Sequence, residues 1–120
     1  MNDIRALATL AQAYFDAAYE MHAETFASLF HPASSVTSVG DGVSVTPIDA
    51  WLNVVRNAKS PKSQGLERRD ELLSVAVMGS LALVTLKLQM PPRYFTDLLS
   101  CARIDGTWKI VQKVTRLETR

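Results

Sequence analysis

Three polar side chains stand where the sequence is otherwise apolar, and these are the residues best placed to do chemistry: Asp97, Gln112 and Tyr14. Asp97 lies in a run of alternating apolar residues. A strand would carry it on its buried face, where loss of solvent suits a carboxyl group to general acid or base work. Gln112 would lie on the same face of the next strand and hold either the acid or a ligand carbonyl. Tyr14 falls in the apolar stripe of a predicted helix, from which a phenol can donate to an oxyanion.

A tight hairpin is predicted to position the first two of these residues. Asp105-Gly106 is typical of two-residue type I′ turns, and alternating apolar residues flank it on both sides. The register that this turn sets pairs Asp97 with Val114. In the same register Leu99 is opposite Gln112. One face of the hairpin then carries Phe95, Asp97, Leu99, Cys101, Trp108, Ile110, Gln112 and Val114. The other face carries Thr96, Ser100, Lys109, Lys113 and Thr115.

Three helices are predicted before the long strands. The first begins at Asn2 or Asp3, whose short side chains can accept from the amides of the first turn. The second covers residues 22–30 and ends at His31-Pro32, because the residue before a proline is pushed out of the helical region. The third begins at Thr46-Pro47, with threonine as the cap and proline at the first helical position. The apolar stripe of the first helix is Ile4, Leu7, Ala8, Ala11, Tyr14, Phe15 and Ala18.

Strands are predicted for most of the remaining chain. A short hairpin lies between the second and third helices, and Gly40-Asp41-Gly42 turns it. A long hairpin over residues 70–90 is turned by Gly79-Ser80, and its register pairs Met78 with Leu81 and Leu73 with Leu86. Three helices followed by four long antiparallel strands predict an α+β fold in a single domain, residues 1–120.

Composition and charge exclude several classes of partner. The chain has 120 residues and a formal net charge of +1, which argues against a nucleic-acid or membrane-surface partner. The N-terminus lacks the pattern of a signal peptide, and no apolar segment approaches the roughly 18 residues that span a bilayer. We therefore expect a soluble, cytoplasmic protein. The single cysteine, Cys101, excludes an internal disulfide, and the spacing of His22 and His31 matches no common metal site.

Seven segments occur in an order and spacing that resemble a known superfamily. They are Tyr14-Phe15-Asp16, Phe30-His31-Pro32, Trp51-Leu52, the loop Ser60-Pro61…Gly65…Arg69-Asp70, the run from Phe95 to Leu99, the run from Asp105 to Val111, and Lys113-Val114. The superfamily is the nuclear transport factor 2-like (NTF2-like) group, which includes ketosteroid isomerase, scytalone dehydratase and SnoaL-like cyclases. Within it, the chain most resembles bacterial proteins described as putative lumazine-binding. The resemblance implies a cone in which three helices pack on a curved antiparallel sheet around an internal pocket. It also implies a homodimer formed through the outer face of the sheet.

The leading functional hypothesis is a protein that binds a small apolar or aromatic molecule in this pocket, without a cofactor. The expected pocket residues are Tyr14, Phe15, Phe26, Phe30, Trp51, Phe95, Asp97 and Gln112. One alternative is a SnoaL-like enzyme that transfers protons with Asp97 as base and Tyr14 as donor. Ser38 stands where ketosteroid isomerase has its catalytic acid, which disfavours that particular reaction. A second alternative is a structural dimerisation module, whose exposed apolar face is Leu81, Leu83, Leu98 and Val111.

Overall fold

A computed structural model describes residues 2–120 as three helices packed on a six-stranded sheet. The helices are α1 (Asp3–Glu20), α2 (Ala23–Leu29) and α3 (Ile48–Asn57). The strands are β1 (Ser35–Val39), β2 (Val43–Pro47), β3 (Arg69–Met78), β4 (Leu81–Met90), β5 (Arg93–Ile104) and β6 (Thr107–Thr119). Their order across the sheet is β2-β1-β6-β5-β4-β3. The predicted α+β class and the three helices are confirmed, and the sheet is curved and unclosed.

The sheet is mixed rather than wholly antiparallel. Strands β3 to β6 pair antiparallel as expected, but β1 pairs parallel with β6 from Val36–Lys113 to Val39–Arg116. Strands β1 and β6 are far apart in sequence. No tight turn therefore forces them to run in opposite directions. This parallel pairing brings the start of the short hairpin against the strand that carries the polar residues.

A side chain caps the first turn of α1 and of α2, but none caps α3. Asn2 caps α1 as predicted, since its Oδ1 accepts from the backbone N–H of Arg5 at 3.1 Å. His22 caps α2 in the same way, through Nδ1 and the backbone N–H of Thr25. The predicted threonine cap of α3 is wrong, because Thr46 pairs with β1 as part of β2 and the cap position is Pro47. Strand β2 runs directly into α3, so Thr46 is part of the β1–β2 pairing and does not cap the helix.

The last hairpin contains a bulge that the alternating pattern of its sequence does not predict. From the turn up to the pair formed by Ile110 and Cys101, its register is the predicted one. Beyond that pair, Val111 has no partner, and Gln112 pairs with Ser100 rather than with Leu99. An extra residue in one strand of a period-two ladder moves every following side chain to the opposite face.

This bulge exchanges the two faces of β6 beyond Ile110. Asp97 pairs with Thr115, and the predicted partner Val114 is wrong. Lys113 and Thr115, expected on the outer face, instead lie on the inner face beside Asp97. Gln112, expected on the inner face, lies on the outer face. A smaller irregularity in the β3–β4 pair places Leu72 rather than Leu73 opposite Leu86, whereas the predicted Met78–Leu81 pair is confirmed.

The hydrophobic core lies between the helices and the inner face of the sheet. Its largest fully buried side chains include Leu7, Leu86, Leu99, Ile110, Val36, Val55 and Val84. Ile4, expected in the buried stripe of α1, is 52% exposed, because in that turn Asp3 is the residue that faces the sheet, where it accepts from Arg103 and Trp108. Within residues 2–120, no helix is long and apolar enough to cross a membrane.

Candidate functional site

A pocket of about 240 Å³ opens between the helices and the inner faces of β4, β5 and β6. Helix α1 contributes Tyr14, α2 contributes Phe26 and α3 contributes Trp51, so one side of the pocket is aromatic. The sheet side carries the polar groups, among them Asp97 and Lys113. The other lining residues are Ala18, Met21, Ser38, Val54, Val55, Ala58, Lys59, Pro61, Leu88, Met90, Arg93, Phe95 and Thr115.

Asp97 forms the polar floor of this pocket and is completely buried. The Tyr14 hydroxyl donates to Asp97 Oδ2 at 2.6 Å, and the Thr115 hydroxyl donates to Asp97 Oδ1 at 2.5 Å. Each carboxylate oxygen therefore already accepts a hydrogen bond from the protein. Burial raises the pKa of the Tyr14 hydroxyl well above its ordinary value, and the charge and hydrogen bond of Asp97 raise it further. The phenol is thus held neutral, as a donor.

Lys113 supplies the positive charge that accompanies the buried acid. It is only 6% exposed, and its Nζ lies 3.7 Å from Asp97 Oδ2. The same nitrogen lies 4.3 Å from the ring centroid of Trp51 and 5.2 Å from that of Tyr14, within the range of cation–π attraction. Burial lowers the pKa of the Lys113 ammonium from its ordinary value, and the charge of Asp97 opposes part of that shift.

The Lys113 ammonium donates no hydrogen bond to any residue between 2 and 120. A separation of 3.7 Å from Asp97 makes an ion pair but is too long for a hydrogen bond. An ammonium group has three donors. No fully buried side-chain nitrogen or oxygen among residues 2–120 lacks a hydrogen-bond partner, so this nitrogen reaches the open space of the pocket. Because this nitrogen lines the pocket, its donors are available to an acceptor on a bound molecule.

The aromatic side of the pocket is a rigid wall formed by Tyr14, Phe26 and Trp51, which we call the aromatic wall. The Phe26 ring meets the Trp51 ring edge to face at a centroid distance of 4.9 Å. The Tyr14 and Phe26 rings meet the same way at 5.3 Å. Such contacts fix ring orientation in addition to burying apolar area. The wall therefore presents a preformed apolar surface opposite the polar floor.

Five of the eight predicted pocket residues line the pocket, and three do not. Tyr14, Phe26, Trp51, Phe95 and Asp97 are brought together around the pocket. Phe15 and Phe30 are buried in the surrounding core and do not line it.

Gln112 is placed outside the pocket, contrary to the expectation. Its side chain accepts from the Ser35 hydroxyl at 2.8 Å and donates to the Thr37 hydroxyl at 2.9 Å, on the outer face of the sheet. The reason is the bulge at Val111, which reverses the alternation on which the expectation rested. Lys113 and Thr115, which take the inner positions, were missed because neither residue type signals burial.

The histidines and the cysteine serve local structure. His22 caps α2, and His31 Nδ1 accepts from the backbone N–H of Ala33 at 3.0 Å. Burial raises the pKa of the Cys101 thiol to about 12, so the thiol stays protonated. In the part of the chain described here, from residue 2 onward, no group of three or more histidine, cysteine or acidic side chains is arranged to hold a metal ion.

The helices, the sheet order and the internal pocket define a protein of the NTF2-like class. An NTF2-like protein of unknown function from Shewanella baltica OS155 matches with a TM-score of 0.86 and 15% identity, over 100% of this chain and 99% of that chain. One from Methylobacillus flagellatus KT matches with a TM-score of 0.84 and 22% identity, over 98% and 93%. A ketosteroid isomerase-like protein from Erwinia carotovora atroseptica SCRI1043 matches with a TM-score of 0.77 and 13% identity, over 100% of each chain.

The sequence also places the chain in a particular family. The family model described as "Putative lumazine-binding" matches residues 2–116, so the chain belongs to that family, and its fold is that of the NTF2-like proteins. Among curated proteins, none matches this sequence. At these low identities the structural matches establish the shared fold, and the chemistry of the site has to be argued from its own residues.

Proposed function

We propose that this protein binds one small, largely apolar molecule in the pocket, with a hydrogen-bond acceptor of that molecule placed against Lys113. The observation that carries the proposal is the buried ammonium that lines the pocket and donates no hydrogen bond to residues 2–120. A carbonyl or ring-nitrogen acceptor on a ligand would supply the missing partner. The aromatic wall would cover the apolar body of the same molecule.

The size of the pocket limits what it can hold. At about 240 Å³ it is slightly smaller than the roughly 300–1,000 Å³ of drug-sized sites, and it corresponds to about eight water molecules. A molecule of one or two fused rings fits this space. Lumazine, which the family description mentions, is a two-ring dicarbonyl compound and is therefore a suitable probe.

The geometry favours binding over proton abstraction by Asp97. Both of its oxygens accept hydrogen bonds, from Tyr14 and Thr115, and its charge faces Lys113. A general base must reach the proton that it removes, and the Asp97 side chain, with one hydrogen bond on each oxygen, is only 1% exposed. The Tyr14 hydrogen points to Asp97, so it is not free to donate to a substrate oxyanion. This set of contacts supports a carboxylate that orients its neighbours.

Isothermal titration calorimetry with lumazine and naphthalene-2-carboxamide tests the proposal. We expect at least one probe to bind the wild type. We also expect Lys113→Met to weaken that binding about tenfold, because a hydrogen bond from a charged donor is lost. Lys109→Met is the matched control: it removes a lysine on the same strand whose Nζ donates to the Ser28 carbonyl outside the pocket.

Stability of the variants is controlled separately. Asp97→Asn together with Lys113→Met removes both buried charges and is titrated if the single variant unfolds. Failure of both probes to bind, with no small molecule found by native mass spectrometry on freshly purified protein, would contradict the proposal. Turnover of a carbonyl substrate that Asp97→Asn abolishes would favour the enzymatic alternative instead.

We also propose that the protein forms a homodimer through the outer face of the sheet, in the cytoplasm. Supporting the dimer, Met78, Leu81, Leu83 and Leu98 are exposed on neighbouring strands of one face. Sedimentation velocity should give a dimer for the wild type and a monomer for Leu83→Lys. Val43→Lys changes an apolar residue on β2 that is more exposed than Leu83, 70% against 39%, and should remain dimeric. A monomeric wild type would contradict the dimer.

Supporting the cytoplasmic location, the sole cysteine is a buried free thiol, which is consistent with a reducing compartment.

A further inference from the structure

The side chains that line the pocket carry more positive than negative charge. Lys59, Arg93 and Lys113 line it together with a single acid, Asp97. The Asp97 carboxylate is already opposite Lys113 at 3.7 Å. The charges of Lys59 and Arg93 therefore have no counterpart within the pocket.

Arg93 is held on the inner face by the strand that carries the acid. It is the first residue of β5, and the period of two places Arg93, Phe95 and Asp97 on the same face. The side chain is half-buried, and it forms no hydrogen bond or ion pair with any residue from 2 to 120. Lys59, just after α3, is exposed at the mouth and likewise forms no ion pair within that range.

Other half-buried arginines of this protein are paired with acids. Arg68 contacts the carboxylates of Asp16 and Asp70, and Arg103 holds both oxygens of Asp3 at 2.9 and 3.0 Å. Arg93 differs in lining a pocket and lacking such a partner. The planar guanidinium matches a carboxylate with two parallel hydrogen bonds, which is the contact that this position leaves open.

We propose that the ligand is an amphipathic organic acid, with its carboxylate at Arg93 and its apolar body against the aromatic wall. This inference rests on the proposed function and adds the charge and orientation of the ligand. The ring system enters first and places its acceptor at Lys113. The carboxylate stays at the mouth, where Arg93 binds it and Lys59 adds a second, more solvated positive charge. A ligand held in this way fills the pocket and neutralises part of its positive charge.

Two probes of nearly the same shape separate the charge from the rest of the molecule. Quinoline-6-carboxylate and quinoline-6-carboxamide share a ring nitrogen that can accept from Lys113, and they differ by one negative charge at the opposite end of the molecule. Calorimetric titration of the wild type should give a carboxylate affinity about tenfold higher than the carboxamide affinity, since charge-assisted hydrogen bonds are about twice as strong as neutral ones. This preference should shrink as the salt concentration rises from 50 to 500 mM, because the mouth is partly solvated.

Variants locate the preference on Arg93. Arg93→Gln should remove the preference for the carboxylate and leave the carboxamide affinity within about twofold of the wild type. Arg116→Gln is the matched control, since it removes an exposed arginine of the neighbouring strand that does not line the pocket. Lys59→Gln should lower the preference by a smaller factor, and Lys62→Gln, whose lysine pairs with Glu20, should not change it.

The outcomes distinguish failure of this inference from failure of the proposed function. Equal affinities of the two probes for the wild type would overturn the inference while leaving the binding function intact. A preference that persists in Arg93→Gln, or that Arg116→Gln also abolishes, would overturn it as well. If neither of these two probes binds but lumazine does, the inference fails alone; if lumazine fails as well and native mass spectrometry finds no small molecule, the proposed function fails with it.

Discussion

Replacing Asp97 by asparagine and Lys113 by methionine, singly and together, tests whether these two buried side chains stabilise each other. Asparagine has nearly the shape of the carboxylate and can still accept from one of its two hydroxyl neighbours. Methionine preserves most of the lysine stem beside Trp51 and removes the ammonium. Both changes therefore remove charge with little change in volume, so that cavity formation contributes little to the measured loss.

The size of the effect follows from the geometry of the pair. At 3.7 Å and an effective dielectric constant of about 20, two unit charges attract by about 4.5 kcal/mol. Removing one partner leaves the other charge buried and uncompensated. We expect Asp97→Asn to lose about 3 kcal/mol of unfolding free energy. Lys113→Met should lose about 2 kcal/mol, because Tyr14 and Thr115 still donate to the acid.

The double variant carries the decisive comparison. With neither charge present, it should lose only about 2–3 kcal/mol, so the coupling free energy of the cycle is about 2 kcal/mol or more. Urea unfolding at pH 7, followed by tryptophan fluorescence, measures all four proteins. Losses that add within about 0.5 kcal/mol would show that the two side chains act independently and would refute this account of the site.

The pH dependence gives the same experiment a second readout. The folded pKa of Lys113 is below its unfolded value, so the unfolded chain binds more protons between those two values and stability rises with pH there. Without the Asp97 charge this window extends to lower pH. As the pH rises toward the ordinary lysine pKa of about 10.4, Asp97→Asn should therefore gain more stability than the wild type, and the double variant, which lacks the amine, should show no such gain.

Three further changes test the contacts around the site and the ends of the elements. Tyr14→Phe removes the hydrogen bond to Asp97 and should cost about 1–3 kcal/mol by urea unfolding. Because the folded pKa of Tyr14 is above its unfolded value, the wild type should lose stability above about pH 10, where the unfolded phenol ionises, and Tyr14→Phe should lose less. His22→Ala removes the cap on the Thr25 amide and should cost about 1 kcal/mol, and His22→Asn should restore most of it. Gly106→Ala forces a side chain onto a backbone φ of +79° in the last turn. It should cost about 1 kcal/mol of unfolding free energy, seen as a lower thermal midpoint. Gly40→Ala is the control, because Gly40 lies outside the positive-φ region. Unchanged stability in any of the three would contradict the contact in question.

The helices and the tight turns could be predicted because each is marked by a few residues close together in the sequence. A short polar side chain before an apolar stripe marks the start of α1, and Asp105-Gly106 marks the last turn, whose residues have φ of +51° and +79° as such turns require. The parallel pairing of β1 with β6 could not be predicted in this way. It joins segments far apart in sequence, and neither segment carries a signal for strand direction.

The site shows that alternation along a strand predicts which face a side chain is on only as far as the next bulge. Asp97 and Tyr14 were found, since each interrupts an apolar pattern on an element with a regular period. Lys113 and Thr115 were not, because the period of β6 is broken at Val111 and no glycine marks the break. A single unpaired residue therefore decides which two side chains of β6 meet the acid.

The bulge also explains how a lysine can be buried in this core. Without it, Gln112 and Val114 would face Asp97, and the carboxylate would lack a counter-ion. With it, the acid has a cation at 3.7 Å, and that cation lies over the rings of Trp51 and Tyr14. Bulges next to functional sites commonly redirect a side chain at the cost of one ladder position. Here the redirected side chain is the one whose donors face the pocket, so the irregularity of the strand and the chemistry of the site have the same structural cause.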